Sequence, residues 1–124
     1  MNKKHLVVVD DSKNIQRQIN SLLTREGYKV SLFDDGYHAL STLSDSSVDL
    51  FMLDINMPNI DGLDLCRLIR MSKIHVNTNI ILLTSKQGEY ERCQAELNGA
   101  NTYITKPYTN DDILNAITAV TKKI

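Results

Sequence analysis

The chain has 124 residues, a formal net charge of −1 and 42% hydrophobic residues, a size typical of one compact domain. Its 14 basic residues against 15 acidic ones leave no excess positive charge for direct binding to nucleic acid or to an anionic membrane. No apolar run approaches the roughly 18 residues of a membrane span, and the amino terminus lacks the hydrophobic region and cleavage site of a signal peptide. We therefore expect one cytoplasmic domain over residues 1–124 with no output domain, and with Cys66 and Cys93 as free, packed thiols.

Five short runs along the chain have the composition of β-strands. The runs Leu6–Val9, Val48–Leu53 and Ile80–Leu83 are almost continuously apolar, which is typical of strands buried on both faces of a parallel sheet. The other two are Val30–Phe33 and a short run around Tyr103–Ile104.

Apolar residues at helical spacing predict a helix after each strand. In chain order the marking residues are Ile15, Ile19, Leu22 and Leu23, before a helix end at Gly27; Ala39, Leu40 and Leu43; Leu65, Leu68 and Ile69; Cys93, Leu97 and Ala100; and Ile113, Ile117, Val120 and Ile124. Thr109, with Asp112 three residues on, is the predicted N-cap of the last helix, and Lys122 and Lys123 supply a favourable charge at its end. Five β-α repeats predict a doubly wound α/β fold of three layers, in which helices cover both faces of a mostly parallel five-stranded sheet.

Polar residues lie at the strand ends, where ligands bind in such folds. Asp10 and Asp11 follow the first strand, Asp54 follows the third, Thr84 closes the fourth, and Lys106 follows the fifth. Each has an ordinary structural explanation when it is taken alone: the first two as helix caps, Asp54 as a solvent-facing carboxylate, and the others as strand-end and turn residues.

Taken together, these residues favour phosphoryl chemistry. Three carboxylates at neighbouring strand ends repel one another unless a cation compensates them. Mg²⁺ suits such a cluster, because it takes oxygen ligands, keeps several waters and often shares its coordination with a phosphate. The metal would make Asp54 an acceptable nucleophile toward phosphorus, and Lys106 and Thr84 would supply a point charge and a hydroxyl donor for the phosphoryl oxygens.

Four segments of the chain resemble the receiver domain of two-component response regulators. In size and layout the chain is most similar to stand-alone, chemotaxis-type (CheY-like) receivers. The segments are VVVDDS (Val7–Ser12), MLDINMPNIDGL (Met52–Leu63), ILLTSK (Ile81–Lys86) and YITKPY (Tyr103–Tyr108). The resemblance implies the flavodoxin-like strand order 2-1-3-4-5. It implies a phosphorelay protein that takes a phosphoryl group from a histidine kinase or phosphotransfer protein and catalyses only its own phosphorylation and dephosphorylation. A fainter similarity is to receivers that serve type IV pilus motility.

The resemblance also implies a role for each site residue. Asp54 would be the phosphoacceptor, and Asp11, Asp54 and the backbone carbonyl of Asn56 would bind Mg²⁺, for which Mn²⁺ may substitute, while Asp10 would hold a metal-bound water. Lys106, before a cis bond to Pro107, would pair with the phosphoryl group. Thr84 would move toward a phosphoryl oxygen, and Tyr103 would rotate inward into the vacated space.

Further implications concern the loops and surfaces. Met57, Pro58, Asp61 and Gly62 would shape the loop after the phosphorylation site by fixing unusual backbone angles. Ser85 stands where the family most often has alanine, and Asn56 and Lys86 occupy the two variable positions that help set the phosphoryl lifetime. Lys86 either adds a cation near the site or points to solvent. A downstream protein would bind the face of helix 4, strand 5 and helix 5, and the chain would be a monomer or a weak dimer on activation.

Two other functions share parts of this inventory. A small aspartate-nucleophile phosphohydrolase would place a D-x-D motif after strand 1, whereas Asp10-Asp11-Ser12 has no carboxylate two residues after Asp10. A binding module that kept the fold without being phosphorylated is the other alternative. It is disfavoured because a degenerate receiver usually loses one of Asp10, Asp11, Asp54, Thr84 and Lys106, and all five are present.

Overall fold

Five strands pair in parallel to form one sheet with the order β2-β1-β3-β4-β5. The strands are β1 (His5–Val9), β2 (Lys29–Phe33), β3 (Val48–Asp54), β4 (Asn79–Thr84) and β5 (Thr102–Thr105). The structure is a computed structural model, and it describes residues 3–121. Each predicted strand is confirmed to within one residue at either end, and so is the strand order that the resemblance implied.

The helices alternate with the strands along the chain. They are α1 (Lys13–Arg25), α2 (Gly36–Ala39), which continues as a 3₁₀ helix over Leu40–Ser44, α3 (Gly62–Met71), α4 (Glu89–Leu97) and α5 (Asn110–Thr121). Helices α1 and α5 cover one face of the sheet, and α2, α3 and α4 cover the other. The predicted three-layer α/β architecture is therefore confirmed, while Lys122, Lys123 and Ile124 lie outside the described residues.

The alternation of side chains along the central strands builds two cores, one on each side of the sheet. In β1, Val8 packs toward α1 and α5 while Val7 and Val9 pack toward the other layer. The strands β1, β3 and β4 lie inside the sheet and are buried almost throughout, whereas the edge strand β2 is only partly buried. Because this apolar burial is what drives folding, the core fixes where the polar strand ends lie.

Two predicted helix ends take the expected local form. Gly27 follows α1 with a φ of +94°, a conformation that glycine adopts without strain. At the start of α5, the Asp112 backbone N–H donates to Thr109 Oγ1 (3.1 Å), and the Thr109 N–H donates to Asp112 Oδ2 (2.9 Å). This reciprocal pair is a capping box, so Thr109 is confirmed as the cap.

The predicted buried face of α4 is wrong. Leu97 is 79% exposed and Cys93 is exposed as well, so the prediction of two packed thiols holds only for Cys66. The one buried residue of α4 is Ala95, whose small side chain packs in the core on the side of the sheet that α2 and α3 also cover. Ala100 does reach the core, but it lies beyond the end of α4, after the chain turns at Gly99 (φ +95°).

The exposure of Leu97 leads to a stability prediction. Leu97→Ala should change the free energy of unfolding by less than about 0.5 kcal/mol, since no buried apolar surface is lost. The matched substitution Leu65→Ala, in the core under α3, should cost about 2–5 kcal/mol. Urea denaturation of both variants measures the difference, and a Leu97→Ala loss comparable to that of Leu65→Ala would mean that α4 buries its apolar stripe after all.

Candidate functional site

The carboxyl ends of the strands bring the predicted site residues to one edge of the sheet. Asp10 directly follows β1, Asp54 is the last residue of β3 and Thr84 is the last residue of β4. Thr84 pairs in register with Thr105 of β5, so Lys106 emerges at the same edge. Parallel pairing of neighbouring strands therefore assembles a site from residues up to 96 positions apart.

Three of these residues form an acidic cluster, which we define as Asp10, Asp11 and Asp54. One carboxylate oxygen from each lies within 4.8 Å of the others. Asp10 and Asp54 are 0% and 2% exposed, whereas Asp11 is exposed. The alternative in which Asp54 is only a carboxylate facing solvent is therefore wrong. Because Asp10 and Asp54 are buried, water screens the repulsion between their charges poorly.

Lys106 supplies the positive charge that faces this cluster. Its Nζ lies 3.1 Å from Asp54 Oδ1 and 3.4 Å from Asp10 Oδ2, so one ammonium group bridges the two buried carboxylates. The peptide bond between Lys106 and Pro107 is cis. A partly buried ammonium in this position offsets part of the cost of burying two negative charges side by side.

Burial, the neighbouring carboxylate of Asp10 and the ammonium of Lys106 all act on the pKa of Asp54. Burial raises the pKa of Asp54 above its ordinary value, and the negative charge of Asp10 raises it further. The ammonium of Lys106 and the Asn56 N–H, which donates to Asp54 Oδ1 (3.3 Å), act in the opposite direction without cancelling the rise. The ionised carboxylate is therefore less stable in this site than in water.

The start of α1 holds Asp10 in place. The Ser12 N–H donates to Asp10 Oδ1 (2.9 Å), and Gln16 Nε2 donates to the Asp10 backbone carbonyl (2.6 Å). Ser12 is the N-cap of α1, accepting from the Ile15 N–H, so the explanation of Asp10 and Asp11 as caps is wrong. Gln16 was not among the predicted residues. The sequence feature that could have revealed Gln16 is its position three residues before Ile19, which places a polar side chain on the buried stripe of an amphipathic helix.

The loop after Asp54 depends on close approach more than on unusual backbone angles. A Cβ at Gly62 would overlap the backbone of Asp54 and Ile55, while the φ of Gly62 is not in the left-handed region. The predicted backbone-angle role of Gly62 is therefore wrong, and its role is to leave room. The loop residue with a positive φ is Asn59 (+71°), which donates from Nδ2 to Asp35 Oδ2 (2.9 Å). Pro58 is exposed, and the partly buried Met57 packs against the core on the side of α2, α3 and α4.

Thr84 and Tyr103 lie on the neighbouring strands β4 and β5. Thr84 is 3% exposed, and its Oγ1 accepts a hydrogen bond from the Lys86 N–H (3.1 Å). The half-buried Tyr103 accepts a long hydrogen bond (3.5 Å) at its hydroxyl from the N–H of Gly88, at the start of α4, where no side chain caps the helix. Lys86 and Asn56 are both exposed, which for Lys86 favours the solvent-facing alternative.

The described residues fit a hard divalent cation. All three members of the acidic cluster offer carboxylate oxygens, the donor type that Mg²⁺ takes in preference to nitrogen or sulfur. The exposed Asp11 leaves an approach from solvent, and the two buried carboxylates gain most from an added positive charge. A separate cavity of about 850 Å³ at the opposite edge of the sheet, lined in part by His5, Tyr28 and Lys29, contains none of these acids.

A doubly wound sheet with this acidic edge and facing lysine defines a receiver-type signalling domain. The chain belongs to the response regulator receiver domain family, which it matches over residues 6–118. It is 35% identical over 114 residues to protein PilG of Pseudomonas aeruginosa, covering 92% of this chain and 84% of PilG. It is 35% identical over 119 residues to the response regulator ArlR of Staphylococcus epidermidis, covering 96% of this chain and 53% of ArlR.

The solved structures agree with the fold. The chemotaxis protein CheY4 of Vibrio cholerae superposes with a TM-score of 0.91 at 26% identity, over 96% of this chain and 99% of that one. Receiver domains of this family are signalling switches and generally bind Mg²⁺. The chain spans most of PilG but about half of ArlR. Within residues 3–121, no helix has the length and apolar character needed to cross a bilayer.

The raised pKa of Asp54 predicts a pH-dependent effect of Asp54→Asn without divalent cation. Because the folded state binds the Asp54 proton more tightly than the unfolded chain does, the charged carboxylate destabilises the wild type at neutral pH, and this penalty disappears as the pH falls below the unfolded-state value. Thermal melts in EDTA should therefore show Asp54→Asn above the wild type at pH 7, with the gap closing on acidification. An exposed control, Asp111→Asn, should give no such gap. A variant less stable than the wild type at pH 7 would contradict the prediction.

Proposed function

We propose that Asp54 accepts a phosphoryl group from a histidine kinase or a phosphotransfer protein and that the resulting change of surface is the signal. The observation that carries the proposal is the environment of the Asp54 carboxylate, which lies within 4.8 Å of Asp10 and Asp11 carboxylate oxygens and 3.1 Å from the Lys106 ammonium. This is a nucleophile with a cation site on one side and a phosphate-pairing lysine on the other.

The metal ligands in this proposal are Asp11, Asp54 and the backbone carbonyl of Asn56, with Asp10 holding a metal-bound water. The Asn56 N–H already contacts Asp54 Oδ1, so the Asn56 backbone is next to the carboxylate. When bound, Mg²⁺, or Mn²⁺ in its place, neutralises the charge that develops on the transferring phosphoryl group. The reaction is therefore Mg²⁺-dependent, and the chain catalyses only its own phosphorylation and dephosphorylation.

In the transfer step, a carboxylate oxygen of Asp54 attacks phosphorus while the phosphorus–nitrogen bond of the donor phosphohistidine breaks, and the electron pair stays on the imidazole nitrogen. Lys106 turns from the carboxylates to a phosphoryl oxygen, exchanging one charge-assisted contact for another. Because Lys106 Nζ lies within 3.4 Å of both buried carboxylates, a small rotation of its side chain suffices.

Thr84 and Tyr103 convert this local change into a surface change. Thr84 Oγ1 accepts from the Lys86 N–H, so its own hydrogen is available for a phosphoryl oxygen. As Thr84 moves, Tyr103 rotates inward and its hydroxyl leaves the Gly88 N–H at the start of α4. Moving such an equilibrium a thousandfold takes roughly 4 kcal/mol. The new charge-assisted hydrogen bond from Thr84 supplies about 1.5–3 kcal/mol of this, and the stronger pairing of Lys106 with the phosphoryl group supplies the rest.

The downstream protein binds the face formed by α4, β5 and α5. On this face, Tyr90 is 70% exposed and Leu97 is 79% exposed. They lie seven residues apart and therefore share one side of α4. We propose that this protein works as a single receiver domain over residues 1–124, in chemotaxis or pilus motility, without direct binding to nucleic acid or membrane. It would be a monomer, or a weak dimer on activation.

The direct test is chemical labelling of Asp54. Acetyl phosphate with Mg²⁺ should add one labile phosphoryl group to the wild type, because acyl phosphates hydrolyse readily. Intact-mass spectrometry should show no adduct with EDTA and none in Asp54→Asn. Asp64→Asn, at a partly exposed acid of α3 outside the acidic cluster, is the matched control and should label like the wild type.

The outcomes separate the competing functions. A wild type that takes no phosphoryl group under any condition would favour the non-phosphorylated binding module. Continuous release of phosphate from small phosphate esters, with turnover well above one per chain, would favour the phosphohydrolase. An adduct that survives in Asp54→Asn would place the phosphoacceptor elsewhere.

A further inference from the structure

The loop that follows Asp54 carries one proposed metal ligand, the backbone carbonyl of Asn56. In the described chain, all but one of the hydrogen bonds made by residues 56–60 join partners that are two positions apart. The exception is the bond from Asn59 Nδ2 to Asp35 Oδ2 (2.9 Å). The side chain of Asn59 therefore provides the one hydrogen bond among these that joins the loop to a distant segment of the chain.

The segment that receives this bond is the β2–α2 turn, which we define as residues 33–36. Asp35 is the N-cap of α2, and its Oδ1 accepts from the Tyr37 N–H (2.7 Å) while its Oδ2 accepts from Asn59. The hydrogen bond from the Tyr37 N–H, and after it the one from the Asn59 amide, lowers the pKa of Asp35. The carboxylate is therefore ionised at neutral pH and is a strong acceptor for the Asn59 amide.

The β2–α2 turn makes two further contacts with the segments around the metal site. A Cβ at Gly36 would overlap the side chain of Ile60, so the turn and the loop pack closely as well as sharing a hydrogen bond. At the other end of the turn, the Phe33 carbonyl accepts from the Asp10 N–H (3.0 Å). The turn therefore joins the loop with the proposed carbonyl ligand to the segment where the acidic cluster begins.

Holding this loop affects metal binding because a mobile loop loses conformational entropy when it is ordered around a ligand. A loop that is already held in the metal-free protein loses less. The backbone at Asn59 is suited to this task, since its φ of +71° lies in the left-handed region that asparagine tolerates better than most residues. This position can therefore carry a side-chain amide without a large conformational strain.

We propose that Asn59 is a positioning residue of the metal site, and that its hydrogen bond to Asp35 holds the loop so that the Asn56 carbonyl is in place for Mg²⁺. The proposal rests on the proposed function of Asp54 and deepens it. Neither Asn59 nor Asp35 touches the metal in this account. Their effect on Mg²⁺ affinity comes from the bond between them, so removing either partner should have the same consequence.

The test is a double-mutant cycle read out by Mg²⁺ titration of the amide NMR signals of Asp11 and Asn56. Asn59→Gly removes the donor and keeps the left-handed backbone accessible, whereas Asp35→Ser removes the carboxylate and keeps a capping hydroxyl for α2. Each should weaken Mg²⁺ binding about threefold to tenfold, at or below the roughly tenfold minimum for losing a direct outer-sphere partner. Because both remove the same bond, the double variant should bind no more weakly than the weaker single variant. Asn77→Gly, at an exposed asparagine in the loop before β4, is the matched control and should leave the affinity unchanged.

Two results would overturn the positioning role. An Asn59→Gly variant that binds Mg²⁺ like the wild type, even with a lower melting temperature in EDTA, would make the bond purely structural. Losses of affinity that multiply in the double variant would show that Asn59 and Asp35 act independently and not through their bond. A wild type whose amide signals do not respond to Mg²⁺ would instead overturn the metal site of the proposed function, so the two failures are distinguishable.

Discussion

The bridge from the Lys106 ammonium to the carboxylates of Asp10 and Asp54 is the interaction on which the site depends. Two buried carboxylates cannot remain ionised side by side without a nearby positive charge, and Lys106 supplies one from the end of β5. Burial and the negative charge of Asp10 raise the pKa of Asp54, and the ammonium of Lys106 opposes this rise without cancelling it. The remaining negative charge is what a divalent cation, and then a phosphoryl group held by Lys106, would exploit.

The parallel sheet is the reason that this bridge can form. Its central strands are apolar on both faces, so their polar ends emerge together at one edge, and this much followed from the sequence by composition and spacing. The strand order came from the family resemblance. The orientation of α4 could not be predicted, because Cys93, Leu97 and Ala100 have helical spacing while the helix ends before Ala100 and packs through Ala95. Periodicity marks a helix, but the neighbouring strand decides which face is covered.

The chemistry of the site was more predictable than its supports. Residue type and position at a strand end can both be read from the sequence. Asp54, Thr84 and Lys106 could therefore be identified as site residues before folding is considered. Gln16 could not, because its importance lies in the contact that it makes with the Asp10 backbone after folding. Gly62 was identified for the wrong reason: a close approach to the Asp54 backbone is a tertiary property, whereas a special backbone angle is a local one.

The most direct measurement compares the Mg²⁺ affinity of Lys106→Met with that of the wild type. Each affinity is obtained by titrating Mg²⁺ and recording the amide NMR signals of Asp11 and Asn56. If Lys106 neutralises the same carboxylates that recruit the metal, its removal takes away a competing cation, and Mg²⁺ should bind more tightly. Lys86→Met, which removes an exposed lysine from the neighbouring loop, should leave the affinity nearly unchanged. Unchanged or weaker Mg²⁺ binding by Lys106→Met would contradict a site organised around that charge balance.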